Sequence, residues 1–133
     1  MVALSPSPDH LDALAQERID DARALFAAGR YAGAHYMCGY AMEMKVKSRI
    51  CKTHGWIEYP PRACEGRLSQ ALKTHRLADL LLFLNIEPTI MKAAEWSVVL
   101  DWDPDQRYRP SAATAEQAEA MISATTLLMM VVL

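Results

Sequence analysis

Residues 30–54, RYAGAHYMCGYAMEMKVKSRICKTH, constrain the fold more than any other stretch of the chain. Gly29 and Gly55 bracket them, and almost nothing before Glu43 is charged. Met37, Ala41, Met44, Ser48 and Cys51 recur at the +4/+3 spacing of one helix face, Ser48 being its one polar member. Tyr31, Ala34, Tyr36, Cys38, Tyr40 and Met42 point elsewhere around the axis, so this helix needs neighbours on most of its sides. About 25 residues at 1.5 Å each would run the length of a small domain. The spacing therefore predicts a central helix.

The flanks read as further helices. Ser7 and Pro8 are an N-cap and a first helical residue, Asp9 and Asp12 suit the positive helix end, and Leu11, Leu14, Arg18, Ala22, Leu25 and Phe26 trace a mostly apolar stripe up to Gly29. A helix over about 9–28 should thus form an antiparallel hairpin with the central one. Pro60-Pro61 marks residues 55–66 as irregular, with Trp56 and Tyr59 over the core edge. Leu68 to Lys73 has room for a short helix. Thr74 then caps a third long element to about Leu84 through Leu77, Leu80, Leu81 and Leu84, and Glu87-Pro88 opens a fourth to about Leu100 on Ile90, Met91, Ala94 and Val98. Residues 101–111 are polar apart from Trp102 and Tyr108, and a last helix runs from about Ala112 to an end, Leu127–Leu133, that is apolar on all sides. No convincing period-2 pattern occurs. The expectation is an all-α, up-and-down bundle of about five helices, forming one domain over 1–133.

Composition narrows the function. A net charge of −2 argues against a dedicated binder of duplex DNA, and the longest apolar run falls far short of the roughly 20 residues that cross a bilayer. Cys38, Cys51 and Cys64, odd in number and without CxxC pairing, read as reduced thiols of a cytoplasmic protein, and no signal-peptide pattern opens the chain. Glycine-rich phosphate loops, HExxH and GxSxG are absent, so no cofactor and no metal are expected. Lys45, Lys47, Arg49 and Lys52 form either a solvated face or a phosphate patch, with Glu43 placed to pair with Lys47 one turn on. Of the four histidines, His10 reads as exposed, His35 as a core imidazole and His54 as a partner for a helix end; His75 is the one least easily assigned to structure.

Gly29, Arg30, Tyr31, Ala34, Tyr36, Tyr40, Ala41 and Glu43 in the long helix, then Lys73, Thr74, His75, Leu77 and Leu80, then Arg107, Tyr108 and Pro110 before the last helix, follow one order over about 29–110. In that pattern the chain resembles the HEPN domain family. The resemblance implies a bundle like the C-terminal part of some aminoglycoside nucleotidyltransferases, usually dimeric, and often encoded beside or fused to a minimal nucleotidyltransferase. Some members are metal-independent ribonuclease toxins, with an Arg and, about four to six residues on, a His for acid–base cleavage at the entry to the last helix. This chain departs from them: after Arg107 and Arg109 the corresponding positions hold Ala112, Ala113, Thr114, Ala115 and Glu116. Two Arg–His pairs of that spacing, Arg30 with His35 and Arg49 with His54, lie elsewhere and read as coincidence.

The expectation is accordingly a non-catalytic HEPN-like module that binds a nucleotide, RNA or a nucleotidyltransferase partner, possible toxin–antitoxin settings included. Arg107, Arg109 and His75 are its candidate phosphate ligands, since the guanidinium fork meets phosphate oxygens two at a time. Arg107 and Arg109 could equally pair with Asp101, Asp103 and Asp105 in their own loop. The alternative is a ribonuclease with a rearranged site, in which His75 or His54 replaces the missing His, His75 working with Arg107. The apolar end at Leu127–Leu133 exceeds what one bundle core can cover and predicts a homodimer through the last helix.

Overall fold

The computed structural model describes residues 5–62, 64–84, 86, 94–105 and 113–131, apart from the side chain of Val131. These contain helices and no strand: α1 (Pro8–Ala27), α2 (Tyr31–His54), α3 (Gly66–Leu72), α4 (Leu77–Leu81), α5 (Ala94–Leu100) and α6 (Ala115–Val131). The described residues thus hold six helices rather than five.

α1 starts as its sequence dictates, with the Ser7 hydroxyl accepting from the His10 N–H at 3.1 Å and Pro8 at the first turn. It stops because Gly29 adopts φ 75°, letting Gly29 N–H reach the Phe26 carbonyl and Arg30 N–H the Leu25 carbonyl at 2.8 Å. The chain reverses there. Ser48 donates to the Pro8 carbonyl, and Leu25 lies 3.3 Å from where a Cβ on Gly33 would stand, so α1 and α2 run antiparallel along their length. The buried face of α1 is Leu11, Ala15, Ile19 and Ala22, about one residue round from the expected stripe; Leu14, Arg18, Leu25 and Phe26 are only half-buried. Two alanines on this face, with Ala34 and Ala41 fully buried on α2, let the backbones approach more closely than a leucine seam would.

α2 is the centre, packing against α1, α4 and α6. Its only exposed residues are Arg49, Lys52, Thr53 and His54. Mid-helix, Gly39 admits the Trp102 indole: a Cβ there would stand 1.9 Å from Trp102 Cε2. The indole N–H donates to the Tyr36 carbonyl at 3.1 Å, and the Tyr36 and Tyr40 rings close around it at 6.0 and 5.2 Å between centroids. Trp102 is therefore a core residue, and it ties the segment after α5 to the middle of α2. Tyr108, the other aromatic of that stretch, lies outside the described residues.

The expected third long helix is cut to the five residues of α4. Leu82, Phe83 and Leu84 N–H groups bond back three residues, to Asp79, Leu80 and Leu81, so the chain tightens out of α geometry and leaves Leu82 exposed. Thr74 does not cap it; its hydroxyl accepts from Arg76 N–H in a local turn, and Arg76 is the residue that precedes the helix. In α5 the buried face is Trp96 and Val99, with Val98 half-buried and Ala94 exposed; residues 87–93, which include Ile90 and Met91, lie outside the described residues. α6 begins three residues later than expected, where Thr114 and Gln117 exchange hydrogen bonds at 3.1 and 2.9 Å. Of its apolar end, Leu128 is buried, Met129 half-buried, and Leu127 and Met130 exposed, Met130 at 80%.

Gly39→Ala tests the close approach to Trp102. In an open helix the change gains about 1 kcal/mol; here the methyl must displace an indole, and a net loss of about 1–3 kcal/mol is expected in urea unfolding followed by circular dichroism. The loss should shrink in the Trp102→Ala background, and a neutral or stabilising Gly39→Ala would contradict the packing.

Candidate functional site

Charged residues on the second half of α2 are mostly consumed by the protein itself. Lys45 and Lys52 reach the two oxygens of Asp12 at 3.1 and 2.7 Å, pinning the start of α1 to the end of α2. Lys47 bonds Glu43 at 3.0 Å as the +4 spacing foretold, yet its side chain is only 12% exposed, and its ammonium lies 5.3 Å from the centre of the Tyr59 ring. Arg49 alone of the four is exposed without an ion pair among the described residues. The stretch is thus split: Arg49 and Lys52 are exposed, while Lys45 and Lys47 are half-buried and ion-paired within the protein.

Glu43 is the unusual group. Its carboxylate is 1% exposed, and besides Lys47 it meets the Nδ1 atom of His75, which stands 3.1 and 3.2 Å from the two oxygens. A buried carboxylate without partners would cost several kcal/mol, so the α3–α4 connection is held where it can supply one. Tyr59 completes the wall: it is buried, its hydroxyl donates to the Leu72 carbonyl at the end of α3, and burial foremost, with Cys51, Glu43 and Cys64 nearby, pushes its phenol well above the usual range. His75 itself is 60% exposed. With Nδ1–H committed to Glu43, Nε2 is the ring nitrogen turned to solvent, and Lys73 and Arg76, exposed and without ion pairs among the described residues, stand on either side of it in the chain.

Further along this seam, His54 closes α2. It stands in the last turn of α2, as expected, and in addition its Nε2–H donates to the Phe83 carbonyl at 2.9 Å and its ring stacks on Trp56 at 5.0 Å. Gly55 ends the helix at φ 71° and turns the chain so that Trp56 falls beneath that ring. Arg49, five residues before His54, lies about 140° round the helix from it, so that pair does not converge. His10 is exposed and His35 half-buried rather than core. Arg107 and Arg109 lie outside the described residues, so of the three expected phosphate ligands His75 is the one placed.

The thiols offer no nucleophile in the core. Burial pushes Cys38 up to about 12, with Thr125 and Arg23 opposing, and Cys51 up to about 11. Among the described residues no group of His, Cys, Asp and Glu is disposed to hold a metal ion. A groove of about 330 Å³ lies on the outer side of the hairpin, lined by Leu14, Met37, Tyr40 and Met44 with Arg18 and Asp21. Its two charges are paired with each other at 3.0 Å. What the sequence concealed is the role of Glu43: a lone glutamate before a basic run reads as a solvent-facing partner, and only the fold brings His75 to its other side. Compared with known proteins, the chain matches no family model, no curated sequence and no solved structure.

The Asp12 clasp predicts an acid limb in stability. Burial alone would raise this carboxyl, but hydrogen bonds from Lys52, Ser48 and Lys45 outweigh it and hold it below its ordinary 3.8. Its contribution is thus present above pH 3.8 and lost as pH falls through the lower folded value. Asp12→Asn should cost about 1 kcal/mol at pH 7, a difference that begins to shrink below about pH 4 and closes below the folded value. A difference that persisted unchanged at pH 2 would show that the loss is not electrostatic.

Proposed function

We infer that the chain is a HEPN-like helical module that binds a phosphate-bearing ligand, a nucleotide or RNA, and that it dimerises through α6. The observation that carries the reading is His75: an exposed imidazole fixed by a buried carboxylate, between two exposed cations, on the face where α2, α3 and α4 meet. Glu43 takes two partners, the little-exposed Lys47 ammonium and an exposed imidazole that stands in the chain between the exposed Lys73 and Arg76. The residues of the family resemblance are used coherently, since Ala34 and Ala41 are fully buried, Tyr36 and Tyr40 hold Trp102, and Glu43 holds His75. Arg107 and Arg109 are the proposed further phosphate ligands, and a minimal nucleotidyltransferase is the protein partner the resemblance suggests, in a toxin–antitoxin-type setting.

A ribonuclease is the second reading, and one observation favours it. Nδ1–H on a buried carboxylate leaves Nε2 as a proton acceptor of fixed direction, which is how a general base is oriented.

Titration with AMP and with labelled RNA at low salt tests both. Binding should weaken about tenfold in His75→Ala and again in Arg107→Ala with Arg109→Ala; unchanged affinity in all of them would reject the site. RNA cleavage that disappears in His75→Ala would move the reading to the enzyme, and intact RNA at every protein concentration would exclude it.

The dimer rests on Leu127 and Met130, which one chain leaves in water. Trp56 and Tyr59 pack at the C-terminal end of α2 and on α3. Light scattering should give about twice the chain mass of 14.9 kDa, falling to a single mass in Met130→Glu. A single mass for the parent protein would reject the dimer.

A further inference from the structure

Glu43, Lys47 and His54 fall on one stripe of α2, at successive spacings of four and seven residues. The chain from His75 to Phe83 runs beside that stripe in the same direction, because His75 meets Glu43 at one end and the Phe83 carbonyl meets His54 at the other. The seam so formed has two unlike ends. At the first stand Lys73, His75 and Arg76, exposed, with His75 braced by Glu43. At the second stands the exposed His54 ring, one face stacked on Trp56. About three turns of helix, or 16 Å, separate them.

Resting on the phosphate-binding reading, we propose that this seam takes single-stranded RNA, its backbone on Lys73, His75 and Arg76 and a base stacked on the outer face of His54. Cations without partners attract phosphates of any nucleic acid, whereas an aromatic plane at the surface takes only a base that is out of a duplex. The separation fixes the length. At roughly 3.4 Å per stacked nucleotide, about five nucleotides cover 16 Å, fewer if the strand is extended, and a mononucleotide reaches one end alone. Asp79 is exposed on α4 beside the seam and sets a limit on how far the backbone tracks along it. Trp56 braces the platform from below, as Glu43 braces His75.

The test is fluorescence titration of the whole chain at low salt with AMP, single-stranded hexa-adenylate RNA, and a blunt-ended, G·C-rich RNA duplex of twelve base pairs that stays paired under these conditions. The parent protein, Lys73→Ala with Arg76→Ala, and His54→Gln are compared, the glutamine amide being able to keep the hydrogen bond to the Phe83 carbonyl without an aromatic face. Unfolding midpoints confirm that each variant is folded. The single strand should bind at least tenfold more tightly than AMP and than the duplex. The double variant should weaken AMP and hexamer about tenfold, and His54→Gln should weaken the hexamer several-fold while leaving AMP unchanged. A hexamer no tighter than AMP, a duplex equal to the single strand, or a His54→Gln loss shared by AMP would overturn the seam and leave the phosphate-binding reading standing. Failure of AMP and hexamer alike to bind would overturn both.

Discussion

A carboxylate in the core of a helical protein is the constraint on which much of this structure depends. Glu43 sits at the middle of the most buried helix, 1% exposed, and an isolated charge there would cost several kcal/mol. One further turn of α2 and two irregular connections are arranged around it. Lys47 comes from the next turn of α2, with the Tyr59 ring from the α2–α3 connection against its ammonium, and His75 comes from the α3–α4 connection. Tyr59 in turn takes the Leu72 carbonyl, so α3 ends where the carboxylate's surroundings require. A polar group thereby helps position connections that Tyr59 and Trp56 also anchor by packing.

The first half of α2 does a corresponding task by shape. Gly39 opens a notch for Trp102, and the two tyrosines around the indole fix the segment after α5, with the Tyr36 hydroxyl also reaching the Pro104 carbonyl at 3.3 Å. Each half of the central helix therefore recruits a different connection, one by close packing and one by charge. The hairpin with α1 is a third dependence, closed at one end by the glycine turn at Gly29 and at the other by the Asp12 clasp.

Much of this was legible in the residues. The Ser7-Pro8 start, the Gly29 and Gly55 stops and the central place of α2 are local chemistry or strong periodicity, and they were readable as such. Other features were not, for definite reasons. On α1 the size of Leu14 and Leu25 suggests a stripe through them, whereas the buried face passes through Ala15 and Ile19, and apolar spacing alone leaves such a rotation of about one residue open. Residues 74–84 carry leucines at helical spacing, but spacing does not reveal that the turn after Leu81 tightens. Thr114 and Gln117 form a capping pair that places the start of α6 three residues after the position expected from the apolar pattern. The lysines of α2 looked like a surface because their partners, Asp12 and the far side of Glu43, are distant in sequence or hidden by the helix itself. For the same reason His75 could be singled out but its anchor could not.

The functional reading turns on whether Glu43 holds His75 as one fixed tautomer or whether that ring is an ordinary surface imidazole. Nitrogen-15 chemical shifts of the His75 ring, recorded at pH 8 in the parent protein and in Glu43→Gln, address this directly. The account predicts a neutral ring protonated at Nδ1 with Nε2 bare in the parent, and a shift toward the averaged tautomers of a free imidazole once the carboxylate is gone. A parent ring that carries its proton on Nε2, or that averages as freely as in the variant, would contradict it.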